Sequence, residues 1–482
     1  MAASIFWYDY ETSGANPRKD RPLQVAGIRT DENLEIIGEP LNLYCRLSDD
    51  ILPHPQASLI TGITPEQLSD QGVSEAEFMG RLHAELIQPN TCTAGYNSIR
   101  FDDEVTRHGL YRTFHDPYAR EWQGGNSRWD IIDAMRAAYA LRPEGIEWPI
   151  DEQTQQVTLR LERLTAANNI DHGEAHNALS DVYATIGLAR LLRSAQPKLY
   201  QYLYDMRRKS EVQAKVQLLK PMVHVSGRFA ASRHYLSVVL PLAWHPTNRN
   251  AVIVCDLQSD LSPLLEEDAE TIRQRLYTRR DELEEGVKPI PLKLIHLNKC
   301  PVIAPLSVIR REDESRLALC VEACQASAKR LTDTQGIWLN KLAEIYSDSD
   351  ADWGDDGHDV EQMLYSGFIN DRDRALLAKV REGDMGRTGS APHFQDERLP
   401  ELLQRYKARN LADQLNEQEQ REWYEYCKAR LVEPSAGAPL TLSSYLAAWN
   451  DAWEKADVND RVLLRKWKEY VDAVAMKYQI EV

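Results

Sequence analysis

The chain has 482 residues, 43% hydrophobic and 27% charged, with a formal net charge of −17. That length predicts about three domains, and the composition is that of a globular protein. No run approaches the roughly 18 to 20 apolar residues of a membrane-spanning helix, so no membrane association is expected; the acidic total argues against indiscriminate adhesion to nucleic acid but leaves local basic stretches open.

The N-terminus carries no basic residue before Asp9, and its apolar stretch stops there. It makes a poor signal peptide, and a cytoplasmic location is expected. Seven cysteines (Cys45, Cys92, Cys255, Cys300, Cys320, Cys324 and Cys427) are odd in number and scattered, as expected of reduced thiols. Cys320 and Cys324 are spaced as neighbours on one helix face and lack the second pair that a zinc site needs.

Residues 1 to about 195 alternate strand and helix, which predicts a mixed α/β sheet. The expected strands are Ile5 to Glu11, Leu23 to Thr30, Ile36 to Cys45 and Thr91 to Ala94, and a helix from Leu179 to Leu192 closes the block. Gln196-Pro197 marks a boundary. After a helical stretch, strand-like runs at Val223 to Val225, Tyr235 to Leu240, Ala251 to Asp256 and Pro291 to Leu297 predict a small β-rich domain. The acidic, turn-rich segment 347–359 reads as a linker. A calcium loop there fails, because the sixth position is Trp353 rather than glycine and the twelfth is Asp359 rather than glutamate. Beyond about 360 the pattern is helical, with Leu463, Trp467, Tyr470 and Val474 spaced for one buried face. Domains are therefore expected at 1–196, 197–350 and 355–482.

Three short segments carry candidate chemistry. Side chains alternate along a strand, so Asp9 and Glu11 project to one side about 6.5 to 7 Å apart. Two like charges sharing a wall call for a basic partner or a bound divalent cation, unless the pair is simply solvated. In Gly95 to Glu104 a strand gives way to a helix, with Asp102 near the helix N-terminus either as a ligand or as part of a capping cluster. In His176 to Asp181, a histidine just before a helix and an acid in its first turns can face one cleft, the imidazole as base and the acid as ligand.

Taken together, the Asp9-x-Glu11, Asn97-x-x-x-Phe101-Asp102 and His176-x-x-x-x-Asp181 elements resemble the DEDDh 3′→5′ exonuclease superfamily. The strings Arg100 to Arg107, Ala140 to Ile146, His224 to Gly227, Leu242 to Pro246 and Asn298 to Pro301, and more weakly Tyr406 to Asn410, are similar to the bacterial exodeoxyribonuclease I family. The resemblance implies an α/β ribonuclease H-like exonuclease domain with a mixed sheet, an SH3-like β-barrel domain and an all-α C-terminal domain, clamped around single-stranded DNA. It implies processive 3′→5′ hydrolysis to 5′-mononucleotides in DNA repair and recombination. Two Mg²⁺ ions, with Mn²⁺ as a substitute, would be held by Asp9, Glu11, Asp102 and Asp181, with His176 as base. Asp103 is then a solvent-facing or capping neighbour. A monomer acting at the nucleoid is implied, as is a pocket for the acidic C-terminal tail of single-strand-binding protein.

Strand binding needs cations along a groove and aromatic faces for stacking. From Arg207 to Arg233 seven cations face only Glu211, and Arg100 to Trp122 mixes cations with aromatics. The resemblance assigns strand contacts to Glu11, Arg107, Tyr118, Trp122, Arg136, Arg160, Tyr202, Lys220 and Lys293, with Arg160 gripping a phosphate beside the metals. A nuclease with another substrate would need little beyond the first domain, and a non-catalytic adaptor would not need all four acids and the histidine.

Overall fold

The computed structural model describes residues 2–171, 177–278, 282, 286–347, 359–383 and 392–481. The acidic segment read as a linker lies mostly outside them. The chain divides into two compact units, one of Met1–Ser127, His172–Ile186 and Gly354–Val482, the other of Arg128–Asp171 and Gly187–Trp353.

In the first unit, strand β1 (Ser4–Thr12) pairs antiparallel with β2 (Pro22–Asp31), which pairs antiparallel with β3 (Leu41–Cys45). The short β4 (Gly72–Val73) runs parallel to β3, and β5 (Thr91–Gly95) runs parallel to β1. The expected mixed sheet is formed. β3 starts five residues later than predicted: Ile36 makes only an isolated bridge to Thr30, and Gly38, at φ +81°, and Pro40 interrupt the run.

Alternation along β1 sends Phe6, Tyr8 and Tyr10 into one core with Phe78, Met79, Leu82 and Leu86 of the helix Glu75–Leu86, and with Val105 and Leu110 of the helix Asp102–Arg112. Each such side chain contributes about 1.5 to 3 kcal/mol on burial. Gly27 of β2 lies under the Phe6 ring, where a Cβ would come within 2.3 Å of it.

The helical segment 359–481 builds its cores jointly with earlier residues of this unit. Tyr111 and Phe114 pack with Leu377, Leu399, Leu402 and Tyr406, and Leu52 packs with Leu431, Tyr445 and Val471. Trp467 is buried among Leu23, Leu47, Ile51, Ile63 and Leu68, its indole N–H donating to the Ile63 carbonyl at 3.0 Å. In the helix Val458–Lys477 the fully buried stripe is Leu464, Trp467, Val471 and Val474, while the expected Leu463 and Tyr470 lie at its margin. A buried ion network adds to these contacts. Arg409 and Arg430 reach Asp50 at 2.7 and 3.2 Å, Arg430 also meets Asp359 at 3.1 Å, Arg405 pairs with Asp359, and both Arg21 and Arg409 pair with Glu361.

Strand β6 (Ser127–Asp130) carries the chain into the second unit. There β7 (Met222–Val225), β8 (Leu236–Trp244), β9 (Ala251–Asp256), β10 (Leu292–His296) and β11 (Val302–Pro305) form an antiparallel sheet in the order β10-β9-β8-β7-β11. Its core includes Phe229, Val239, Val252, Val254, Ile295 and Ile303. β8 begins after Tyr235 rather than on it, because His234 and Tyr235 both take left-handed conformations, at φ +54° and +57°. β11 was not anticipated. No helix among the described residues is long and apolar enough to cross a membrane.

Candidate active site

β1 pairs with β5 only from Ser4 to Trp7, because β5 ends at Gly95 and the chain turns through Asn97, at φ +62°, into the helix Asp102–Arg112. Gly95 passes so close to β1 that a Cβ there would sit 2.8 Å from the Tyr8 carbonyl oxygen. Past that point the Tyr10 backbone N–H donates instead to the Asp102 carboxylate at 3.2 Å. This bond fixes Asp102 against the strand that carries Asp9 and Glu11. The residue before Asp102, Phe101, stands at the N-cap of this helix and makes no side-chain capping bond.

Asp181 lies in the first turn of the helix Ala178–Ala195. Carboxylate oxygens of Asp9, Glu11 and Asp181 lie within 4.8 Å of one another. Burial, then the charges of Asp102, Glu11 and Asp181, hold the Asp9 carboxyl well above its ordinary range. Burial, followed by Asp181 and Asp102, pushes Glu11 up to about 8. All four expected acids therefore act on one another electrostatically, and three share one small space. Such a cluster is costly unless protons or cations neutralise it. Hard carboxylate oxygens gathered this closely are the donor set that would hold a divalent cation such as Mg²⁺. The residues fit the metal that the resemblance implies. His176 lies outside the described residues.

Asp103 corrects the expectation of a solvent-facing or capping neighbour. It is 2% exposed and accepts hydrogen bonds from the Tyr8 hydroxyl and the Arg120 guanidinium, both at 2.7 Å. Adjacent residues on the helix thus point to different partners, Asp102 to the backbone beside the acid cluster and Asp103 into the packed core. Arg120, one of the cations of the Arg100 to Trp122 stretch considered for strand binding, is itself fully buried.

The expected strand contacts fall in different environments. In the first unit, Arg107 is 6% exposed and bonded to Glu121 at 2.7 and 2.9 Å, to Glu104 at 2.7 Å and to the Tyr365 hydroxyl at 3.1 Å. Tyr118 is half-buried, and Trp122 is 69% exposed. Phe368, which sequence reasoning passed over, is 86% exposed, with its ring edge-on to Tyr118 at 5.7 Å. A separate cavity of about 520 Å³ is lined by His83, Phe114, His115, Tyr118 and Arg381, and by none of the four acids. In the second unit, Arg160 and Lys220 are exposed. Arg136 bonds Asp133 at 2.5 Å and lies over the Tyr235 ring, and Tyr202 donates to the Ile303 carbonyl at 2.8 Å. Lys293 lies 3.0 Å from His224.

A mixed sheet bearing this acid cluster defines a nuclease of the exonuclease class, and the chain matches the family model "Exonuclease" over residues 6–189. It also matches "Exonuclease I SH3-like domain" over 207–348 and "Exonuclease I C-terminal domain" over 358–474. Exodeoxyribonuclease I of Haemophilus influenzae is 43% identical over 465 residues, covering 95% of this chain and 97% of that protein. The structure of a moderately thermophilic exonuclease I from Methylocaldum szegediense superposes with TM-score 0.92 at 46% identity, over 98% of this chain and 100% of that one. Escherichia coli exonuclease I, 42% identical over the same shares, superposes with TM-score 0.92 in complex with a dA16 oligonucleotide and 0.92 in a zinc-bound complex with single-stranded DNA. In a complex of single-strand-binding protein, exonuclease I and an inhibitor the score is 0.89.

The chain belongs to the exodeoxyribonuclease I family. It is an enzyme, a hydrolase with an exonuclease fold, an SH3-like domain and a helical C-terminal domain.

Proposed function

We propose that this enzyme degrades single-stranded DNA processively from the 3′ end, releasing 5′-mononucleotides, and that Asp9, Glu11, Asp102 and Asp181 hold two Mg²⁺ ions, for which Mn²⁺ can substitute. The observation that carries this reading is the convergence of Asp9, Glu11 and Asp181 oxygens within 4.8 Å. Complexes of the E. coli relative with oligonucleotides support the substrate, and its zinc-bound form supports a site for divalent cations. When bound, two such ions supply positive charge to the attacking and leaving oxygens of the phosphodiester.

The protein's own groups do the rest. Asp102, tied to the Tyr10 N–H, and Asp181, on its helix, orient their carboxylates toward the strand pair. His176 is the base that accepts the proton of the attacking water. Glu11 borders the terminal nucleotide, and Arg160 meets a phosphate. Exposed Trp122 and half-buried Tyr118 provide faces for bases, stacking being worth about 1 to 3 kcal/mol each.

The domains act as 1–196 for hydrolysis, 197–350 for clamping and 355–482 as the helical module, on a monomer in the cytoplasm serving repair and recombination. A 42% identical exonuclease I solved in complex with single-strand-binding protein and an inhibitor supports the tail of that protein as a partner.

Oligonucleotides labelled at the 3′ or the 5′ end, single- or double-stranded, test the reading. Labelled mononucleotide should appear at once only from the 3′-labelled single strand. Early release from the 5′ label, or equal digestion of duplex, would refute it.

A further inference from the structure

Lys293 stands on β10 between Leu292 and Leu294, on the same face as Ile295 of the buried core. Its register partner is Val254 of β9. His224 stands on β7, paired with Ser237 of β8 and Ile303 of β11. β7 and β10 are not neighbours in the sheet, so the two side chains meet across its concave interior, with the Lys293 Nζ 3.0 Å from the His224 Nε2. The other ring nitrogen, Nδ1, lies 2.9 Å from the Val302 carbonyl oxygen and donates to it. That bond leaves the Nε2 lone pair as an acceptor for the ammonium. The Phe229 ring completes the cradle, its centroid 4.2 Å from Nζ and its plane edge-on to the imidazole.

We propose that His224 is a positioning residue for strand binding, whose neutral imidazole, locked by the Val302 carbonyl, holds the Lys293 ammonium in place for a DNA phosphate. The inference rests on the reading of Lys293 as a strand contact. His224 is 4% exposed, and burial, reinforced by the lysine's charge, keeps it uncharged well below the ordinary histidine range. An imidazole lone pair and an aromatic face both orient an ammonium, the one by accepting its N–H and the other by attracting its charge. A lysine held in one geometry also loses less side-chain entropy when the strand arrives.

The test is the salt dependence of binding of the full chain to a fluorescent oligothymidylate, with chelator present to prevent hydrolysis. Each phosphate contact contributes about 0.7 to the slope of log affinity against log salt for single strands. K293M should lower the slope by about that amount. H224N keeps a donor toward Val302 but loses the acceptor, and it should lower the slope equally, with no further loss in H224N/K293M. H224Q places an oxygen near the Nε2 position and should restore the slope. A wild-type slope in H224N beside a reduced one in K293M would overturn the positioning role alone, and so would additive losses in the double variant. An unchanged slope in K293M would instead remove Lys293 from the strand and the inference with it. A further arm needs no variant: imidazole ¹⁵N shifts of His224 in the wild type should report the Nδ1–H tautomer, and the Nε2–H tautomer would refute the proposal.

Discussion

Asp9 and Glu11 are held at raised pKa values by burial and by the other acids, so without a cation the cluster opposes folding. Glu11→Gln should therefore raise the melting temperature of the chelator-treated protein while lowering nucleotide release by about a hundredfold or more, several kcal/mol of transition-state stabilisation. A lower melting temperature would show that the acids are not in mutual repulsion. Asp103→Asn should behave oppositely. It leaves the buried Arg120 without its close partner and should cost about 3 kcal/mol of stability, read by denaturant melts, while the folded fraction keeps its metal dependence. At this scale the Asp9–Glu11 pair was legible because a strand has period two. The fate of Asp103 was not, because its partners Tyr8 and Arg120 lie 95 and 17 residues away. The ion pairs of Arg107 follow in part from the sequence, because Glu104 lies three residues before it on one helix; its second partner, Glu121, is brought in by the fold.

Among the elements, the point at which β5 parts from β1 decides where Asp102 sits. Gly95→Ala would drive a Cβ to 2.8 Å from the Tyr8 carbonyl oxygen and from Ser98, so strand or helix must move. Activity should fall more than stability, because the Asp102 bond to the Tyr10 N–H is displaced; a stable, fully active Gly95→Ala variant would contradict this. Alternating or continuous apolar runs announced most strands of both sheets. β11 escaped because Val302 to Pro305 is only four residues long and gains its identity from pairing with β7. The start of β3 was set by Gly38 and Pro40, local signals that outweigh the apolar Ile36-Ile37 pair.

Over the whole molecule, the helical segment shares its core and a buried ion network with the first 127 residues, a long-range arrangement that composition and periodicity do not reveal. Arg409→Ala, which leaves Asp50 with Arg430 and Glu361 with Arg21 but takes from each its shared guanidinium, should cost about 3 kcal/mol in a denaturant melt. Acidification acts on the same unit. Burial lowers His83 to about 4 and His108 and His115 to about 3, so the unfolded chain takes up protons first. Their contribution to stability is complete above about pH 6.5 and declines as the pH falls toward those lowered values. The carboxyls of Asp50 and Glu361, held below their ordinary range chiefly by Arg409, add a second loss below about pH 4. Melting temperatures of the Mg²⁺-treated protein should decline from pH 6.5 to 3, and a flat profile from pH 6.5 to 4.5 would contradict the histidine assignments.

The most direct test of the central claim is the rate of mononucleotide release from a 3′-labelled single strand, followed across a Mg²⁺ titration for wild type and Asp181→Asn. Wild-type release should rise with Mg²⁺, vanish with chelator and return when the metal is restored, while Asp181→Asn should lose about a hundredfold or more at saturating metal. Chelator-resistant release, or an Asp181→Asn variant with wild-type rate and metal dependence, would contradict a hydrolytic centre built on Asp9, Glu11, Asp102 and Asp181.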